Sequence, residues 1–307
     1  MNSLKIKYKN FVKNTKCPIC KSVNLIKIST IKHNIKQLNG IFDLLRCNSC
    51  LHRFLSKFPR DKFLKDLYKK DSELVFGGTH EEFKGKSEFI KNKFKKIIPY
   101  KDHWIFKYID KSKKGKYFEL GPGLCRLYKT FFENGWTCQG LELRSFIKGP
   151  GIKTKIAKIN SQNDVVAALD VLEHVVNPTK YLTSIKKKLK KNGKIFLTFP
   201  HSESFKSRLL KDRWSMVVPL SHLHFFSKKS SEVMLTKSGF KILFIKEFSF
   251  VEPRRLIRNT LKLPFLVLQD IFSLNIKNIL FRFFETFLNI LDLLKGDQIK
   301  IVAYKIK

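Results

Sequence analysis

The sequence predicts an α/β protein. A doubly wound, mostly parallel sheet carries a small metal-clipped module at its N-terminal end and a helical insertion near its C-terminal end. Three observations carry this expectation. Two Cys-x-x-Cys pairs stand near the start, apolar strand-like runs alternate with helix-like ones from Lys116 to Phe248, and a Gly-rich turn follows the first of those runs. The chain has 307 residues, 43% of them hydrophobic, with 29 Phe, so it can bury a core and is not disordered in the main.

The 62 Lys and Arg against 25 Asp and Glu give a formal net charge of +37. That invites a nucleic-acid partner. Yet only 11 of the basic residues are Arg and only four residues are Ala, a bias that low-GC codons produce without selection for a partner. Charge alone therefore speaks to solubility and non-specific attraction. The first residues, MNSLKIKYKNFVKN, hold no apolar run of a signal peptide, and no stretch of about 18 apolar residues suggests a spanning helix. The cytoplasm is the expected compartment.

Cys17-Pro-Ile-Cys20 and Cys47-Asn-Ser-Cys50 are separated by 26 residues. Two such knuckles suit tetrahedral Zn held by four thiolates, and a closed four-sulfur site is structural rather than catalytic. Strand-like text at Asn24–Ile31 and Ile41–Arg46 puts a hairpin between them, a zinc ribbon over about residues 1–75. Polar, Gly-containing text from Tyr68 to Ser87 marks the boundary, and residues 76–307 form the second domain. A Lys-rich stretch from about Ser87 to Asp110 has helical apolar spacing. Cys125 and Cys138 sit in apolar text and read as core.

Lys116–Leu120 is the first strand of the larger sheet, followed by the turn Gly121-Pro-Gly123 and a helix from about Leu124. Bare glycines let backbone approach a ligand, and a helix start favours an anionic group. A dinucleotide fingerprint needs a Gly at 126, where Arg126 stands. Thr137–Leu143 is the second strand, and Glu142 near its end can take both hydroxyls of a ribose. A third strand is placed near Lys153–Ile159 and a fourth at Asp164–Leu169, before Asp170-Val-Leu-Glu-His174. A helix over about Pro178–Lys191 starts on a first-turn Pro and leads to a fifth strand, Lys194–Phe199. A helix at Lys228–Ser238, a sixth strand at Lys241–Phe248 and a seventh at Gln298–Ile306 complete the set. About 50 residues separate the last two strands, an insertion over roughly 250–296. It holds Arg254, Arg255, Arg258 and Lys262, then a helix-like run Ile276–Leu294 that is apolar over most of its girth. That face reads as a lid, as a contact in a homodimer, or as a peripheral membrane contact through residues 254–295 at the inner face of the membrane.

Together, FELGPG (118–123), GLEL (140–143), DVLEHVVNP (170–178), LKKNGKIFLTFP (189–200) and HLHFFSKKS (222–230) resemble the class I S-adenosylmethionine-dependent methyltransferases. With the knuckles, the chain is similar to a subgroup with a four-cysteine zinc-binding N-terminus that serves surface-glycan or small-metabolite pathways. The resemblance implies a Rossmann-like seven-stranded sheet whose last strand is antiparallel, and methyl transfer to a small molecule, sugar or lipid-linked glycan of polysaccharide biosynthesis. It implies that Glu119, Gly121 and Gly123 surround the methionine part of the cofactor. Glu142 holds the ribose, Ile159 and Asn160 lie near adenine, and Asp170 and Leu172 line the reactive end. Cys125 departs from the pattern, where a third Gly is usual.

A hydroxyl acceptor needs a general base, and His suits that role. His174, His201, His222 and His224 fall at the strand ends where ligands bind, with His174 and His224 inside the family-like motifs. Enzymes of this kind that act on exocyclic base nitrogens carry an Asn/Asp-Pro-Pro-Tyr/Phe run after the fourth strand. Here it reads Leu169-Asp-Val-Leu-Glu173, which argues against nucleic acid. An RNA methyltransferase using the ribbon and the basic surface is the alternative expectation.

Overall fold

The structure is a computed structural model. It describes residues 10–35, 38–70, 99–100, 103–110, 113–143, 151–153, 162–249 and 296–306, and seven helical positions between 276 and 290. The N-terminal module holds β1 (Phe11–Lys13), β2 (Leu25–Ile35), β3 (Leu38–Cys47), β4 (Arg53–Leu55), β5 (Lys57–Pro59) and α1 (Asp61–Lys70). β2 and β3 are the expected hairpin, extended toward its turn, because antiparallel pairing runs from Leu25–Cys47 to Ile35–Leu38.

The larger sheet begins with β6 (Lys116–Leu120), α2 (Arg126–Glu133), β7 (Thr137–Leu141), β8 (Ile152–Lys153) and β9 (Asn163–Leu169). It continues through α3 (Pro178–Lys186), β10 (Leu189–Pro200), α4 (Phe205–Leu210), β11 (His224–Phe225), α5 (Lys228–Lys237), β12 (Phe240–Phe248) and β13 (Gln298–Lys305). Its seven strands run β12-β13-β10-β9-β6-β7-β8. From β10 to β8 every neighbour is parallel, and β13 is antiparallel to both β10 and β12. This is the expected seven-strand mixed sheet.

Parallel strands covered on both faces read as unbroken apolar runs. β10 does so: Ile195, Phe196, Leu197 and Phe199 are all fully buried, each contributing about 1.5–3 kcal/mol. One core packs Phe118, Leu120, Val166 and Leu197 together with Cys17, Phe54 and Leu67 of the N-terminal module. The other face gathers Tyr117, Phe131 and Trp136, with the Tyr117 and Phe131 rings stacked at 3.7 Å.

Several expectations shift. The helix after Pro178 ends at Lys186 rather than Lys191, because Leu189 pairs with Asn163 and starts β10. Among the described residues between 99 and 110, the expected helix shows a 3₁₀ turn, Trp104–Lys107. α2 starts at Arg126, since Cys125 at its N-cap is left-handed, with φ 57°. The third strand is seen as Ile152–Lys153, and most of its expected span, with Asn160, lies outside the described residues. So do the boundary near residue 75, residues 87–98 and most of the insertion.

The motif HLHFF was expected at a loop. Its β11 instead pairs with β4, so the N-terminal sheet runs β11-β4-β3-β2 and is completed by chain from the larger domain. A partly buried ion pair strengthens that junction. Arg53 Nη2 lies 3.0 Å from Glu203 Oε1, and Arg53 Nη1 donates to Ser207 Oγ at 3.1 Å. Breaking such a pair by removing one partner costs up to about 3–5 kcal/mol.

Candidate active site and metal centre

The four cysteines converge as expected. Their sulfurs all lie within 4.8 Å of one another, with Cys17–Cys50 at 3.6 Å and Cys20–Cys47 at 3.4 Å. Tetrahedral Zn–S bonds of about 2.3 Å separate sulfurs by roughly 3.8 Å, so the cluster fits that ion. Each knuckle closes on a left-handed residue: Lys21 N–H donates to the Cys17 carbonyl and Leu51 N–H to the Cys47 carbonyl. A hydrogen bond from the Cys50 thiol holds Cys17 down at about 5, and the same contact pushes Cys50 up. A cation bound by all four sulfurs would displace the thiol protons.

The second centre is a cavity at the C-terminal ends of β6, β7 and β9. One side is lined by Leu120, Gly121, Leu141, Glu142, Asp170 and Val171. This is the crevice where doubly wound sheets bind ligands. Gly121 is required there. Its φ is +64°, and a Cβ would stand 2.7 Å from Val171 Cγ2. Glu142 is buried at the end of β7, held by its N–H to the Lys153 carbonyl at 2.9 Å. Asp170 is left-handed, with φ 53°. Thr198 Oγ1 donates to its carboxylate at 3.0 Å, and its N–H donates to the Thr198 carbonyl at 2.9 Å. Strain held by such contacts is typical of ligand sites.

Of the other expected cofactor residues, Glu119, Gly123 and Leu172 do not line this cavity. Leu172 is fully buried. Glu119 sits on β6 beneath the turn, and burial raises its carboxyl to about 8, with Glu142 nearby adding to the rise. Among the described residues, its Oε2 has no hydrogen-bond partner.

The four histidines separate. His174 lines the cavity, and its Nδ1 lies 2.7 Å from the Ser221 carbonyl. A carbonyl only accepts, so Nδ1 carries the proton and Nε2 is the basic atom. His222 is next to it, ring centroids 4.7 Å apart, with Nδ1 on the Met216 carbonyl and burial lowering its pKa. His201 is buried beside Glu247 and held down at about 4 by burial, away from the cavity. His224 does not line the cavity: it is fully buried, held down at about 3, and bonded to His52 at 3.0 Å.

Glu173, which the sequence suggests caps or pairs near the following turn rather than takes a proton, is 1% exposed, its pKa raised well above the usual range by burial, and its carboxylate approaches His174 and His222 within 4.8 Å. One wall escaped the sequence reading. The opposite wall of the cavity is built by Asp61, Leu64 and Lys65 of α1, with Val175, Val176 and Tyr181. Nothing local in α1 announces this, because the contact arises from how the N-terminal module docks.

The family described as a methyltransferase domain matches residues 89–244. An uncharacterized protein of Methanocaldococcus jannaschii is 28% identical over 145 residues, covering 45% of this chain and 71% of that protein. Among solved structures, Haemonchus contortus phosphoethanolamine N-methyltransferase 2, in complex with phosphomonomethylethanolamine and S-adenosylhomocysteine, is 14% identical with a TM-score of 0.51. The match covers 91% of this chain and 72% of that one, and shows a shared fold. An S-adenosylmethionine-dependent methyltransferase of Mesorhizobium loti is 14% identical with a TM-score of 0.44, covering 66% of this chain and 95% of that one.

Proposed function

The chain belongs to the methyltransferase-domain family, an S-adenosylmethionine-dependent enzyme, and on that premise we propose that it methylates a small polar or sugar-like acceptor. The observation that carries this reading is that Glu142, Asp170 and His174 share one cavity whose far wall is α1. In this reading Glu142 takes the ribose hydroxyls and Gly121 lets the cofactor lie against bare backbone. Asp170 borders the reactive end. Glu119 and Gly123 belong to the turn below, and Asn160 to the adenine side.

S-adenosylmethionine, when bound, supplies an electrophilic methyl group on a sulfonium. His174 Nε2 would take the proton of the acceptor hydroxyl as the hydroxyl oxygen bonds to the methyl carbon. The methyl–sulfur bond of the bound cofactor would break with its electron pair left on sulfur, so that a neutral thioether departs. His222 stands beside it. Asp61 and Lys65 at the mouth, over the apolar Leu64, Val175 and Tyr181, suit an acceptor with both polar and apolar parts. Zinc in the four-cysteine cluster has a structural role, because four thiolates leave no open position.

The test is a methyl-transfer screen with labelled cofactor against nucleotide sugars, lipid-linked glycans, phosphorylated amines and RNA. Transfer to a small acceptor, lost in His174→Gln with cofactor binding kept, is the expected result. Transfer to RNA alone would replace this reading with the nucleic-acid one.

A membrane-facing role is part of the same proposal. Ile276, Phe283, Phe287 and Ile290 recur at helical spacing and are 42–68% exposed. An apolar row on a chain of net charge +37 suits an anionic bilayer at the cytoplasmic face. Among the described residues no helix is long and apolar enough to cross a membrane. Co-sedimentation with anionic vesicles, lost in Phe283→Asp with Phe287→Asp, is expected; equal partition of both forms removes the idea.

A further inference from the structure

We propose that His224, working through His52, is a positioning residue that fixes the catalytic loop against the four-cysteine module. This rests on the reading that the loop carrying Asp170 and His174 is the reactive edge of the cavity. His52 follows Cys50 by two residues, and His224 opens β11. Both are fully exposed to protein and not to solvent, each 0% accessible.

Their bonds have one consistent direction. His224 Nε2 lies 3.4 Å from the Val176 carbonyl, and His224 Nδ1 lies 3.0 Å from His52 Nε2. The carbonyl can only accept, so His224 carries its proton on Nε2. Its Nδ1 is then an acceptor, and His52 must donate from Nε2. The relay therefore runs His52 to His224 to Val176. Val176 lines the cavity two residues after His174, so the relay grips the back of the wall whose front meets the ligand.

The surroundings are aromatic. His52 stacks on Phe54 and lies 5.0 Å from Phe226, and Phe58 meets His224 at 4.8 Å. Two phenylalanines would fill this space and bury no polar atoms. What imidazoles add is direction: the His52–His224–Val176 bonds fix one arrangement where apolar packing tolerates several, with His52 Nδ1 left without a partner among the described residues.

Main-chain bonds run parallel to the relay. Leu55 N–H donates to the Leu223 carbonyl at 3.2 Å, and Leu223 N–H donates to the Glu173 carbonyl at 2.8 Å. Ser227 Oγ donates to the Cys50 carbonyl at 3.1 Å. The segment 221–227 is thus clamped between the second knuckle and the loop. It also supplies the Ser221 carbonyl that orients His174. The four-cysteine module, in this account, holds the general base in place from more than 100 residues away in sequence.

The experiment is histidine-selective ¹⁵N NMR on the full chain with its metal, comparing wild type, His52→Phe, His224→Phe and His224→Gln. The His174 signals are assigned by their loss in His174→Gln. Wild type should show Nε2–H tautomers for both His52 and His224. Each Phe variant should keep its metal and bind S-adenosylmethionine within about threefold of wild type. In both, the His174 ring signals should move, and the double Phe variant should move them no further than either single one. His224→Gln, which keeps a donor and an acceptor, should return them part of the way.

An Nδ1–H tautomer at His224 in wild type overturns the proposal, even if no Phe variant folds. So does an unmoved His174 signal in a folded Phe variant. Failure of wild type to bind the cofactor, with the tautomers as expected, would strike the functional reading instead and leave the clamp standing.

Discussion

The four-cysteine cluster and the cavity at the sheet edge are built on opposite plans. In the cluster each sulfur has a sulfur neighbour within 3.6 Å, and the knuckle backbone is closed by its own hydrogen bonds. At the cavity the chain leaves things open. Gly121 and Asp170 line it in left-handed conformation, and the buried Oε2 atoms of Glu119 and Glu173, each next in sequence to a lining residue, have no partner among the described residues. A closed site holds the fold together, whereas an unfinished one keeps its unspent interactions for a ligand.

The comparison breaks most readily at the cluster. Cys50→Ser should lose the metal and destabilise the N-terminal module by several kcal/mol, on the order of what structural zinc contributes to small modules. Metal analysis and thermal melting read it; a variant that melts like wild type would mean the cluster is not a metal site. Because α1 of that module walls the cavity, cofactor-dependent transfer should fail with it.

At the cavity the expected effects are large on binding and smaller on stability. Gly121→Val forces a side chain to within 2.7 Å of Val171 Cγ2 at a left-handed position. Cofactor affinity should fall by at least about 100-fold, roughly 2.7 kcal/mol, by calorimetry. A separate effect, on stability, follows from Glu119, raised from 4.5 to about 8 by burial. Between those values the folded chain holds a proton that the unfolded chain has released, so Glu119 lowers stability as pH rises through that window. Glu119→Gln removes that loss, and its melting temperature relative to wild type should climb from pH 5 to pH 8. A constant difference would place Glu119 outside the buried, unfinished part of the site. Smallest is Cys125→Gly: relief of the left-handed φ of 57° should contribute up to about 1 kcal/mol, less the lost burial of the thiol.

The contrast also explains what could be read from the sequence. The cluster was legible because cysteine pairs of this spacing are locally marked, Cys17 with Cys20 and Cys47 with Cys50. The sheet was legible because buried parallel strands leave continuous apolar runs, as in Lys194–Phe199. The Gly121 turn, Glu142 and Asp170 were legible because each belongs to a strand end whose place in the sheet follows from order alone. The role of His224 was not, because a histidine after a loop looks alike whether it faces a ligand or a neighbouring module. Nor was the wall made by Asp61, Leu64 and Lys65, since a helix face carries no sign of which distant surface it will cover.

The central claim is that the cavity at the ends of β6, β7 and β9 holds S-adenosylmethionine through Glu142. Titration calorimetry of S-adenosylmethionine into wild type and Glu142→Ala tests it most directly. A carboxylate taking two ribose hydroxyls contributes about 1.5–3 kcal/mol per bond, so the variant should bind at least about tenfold more weakly, with the melting temperature of the free protein little changed. Equal affinity in the two proteins would contradict the account.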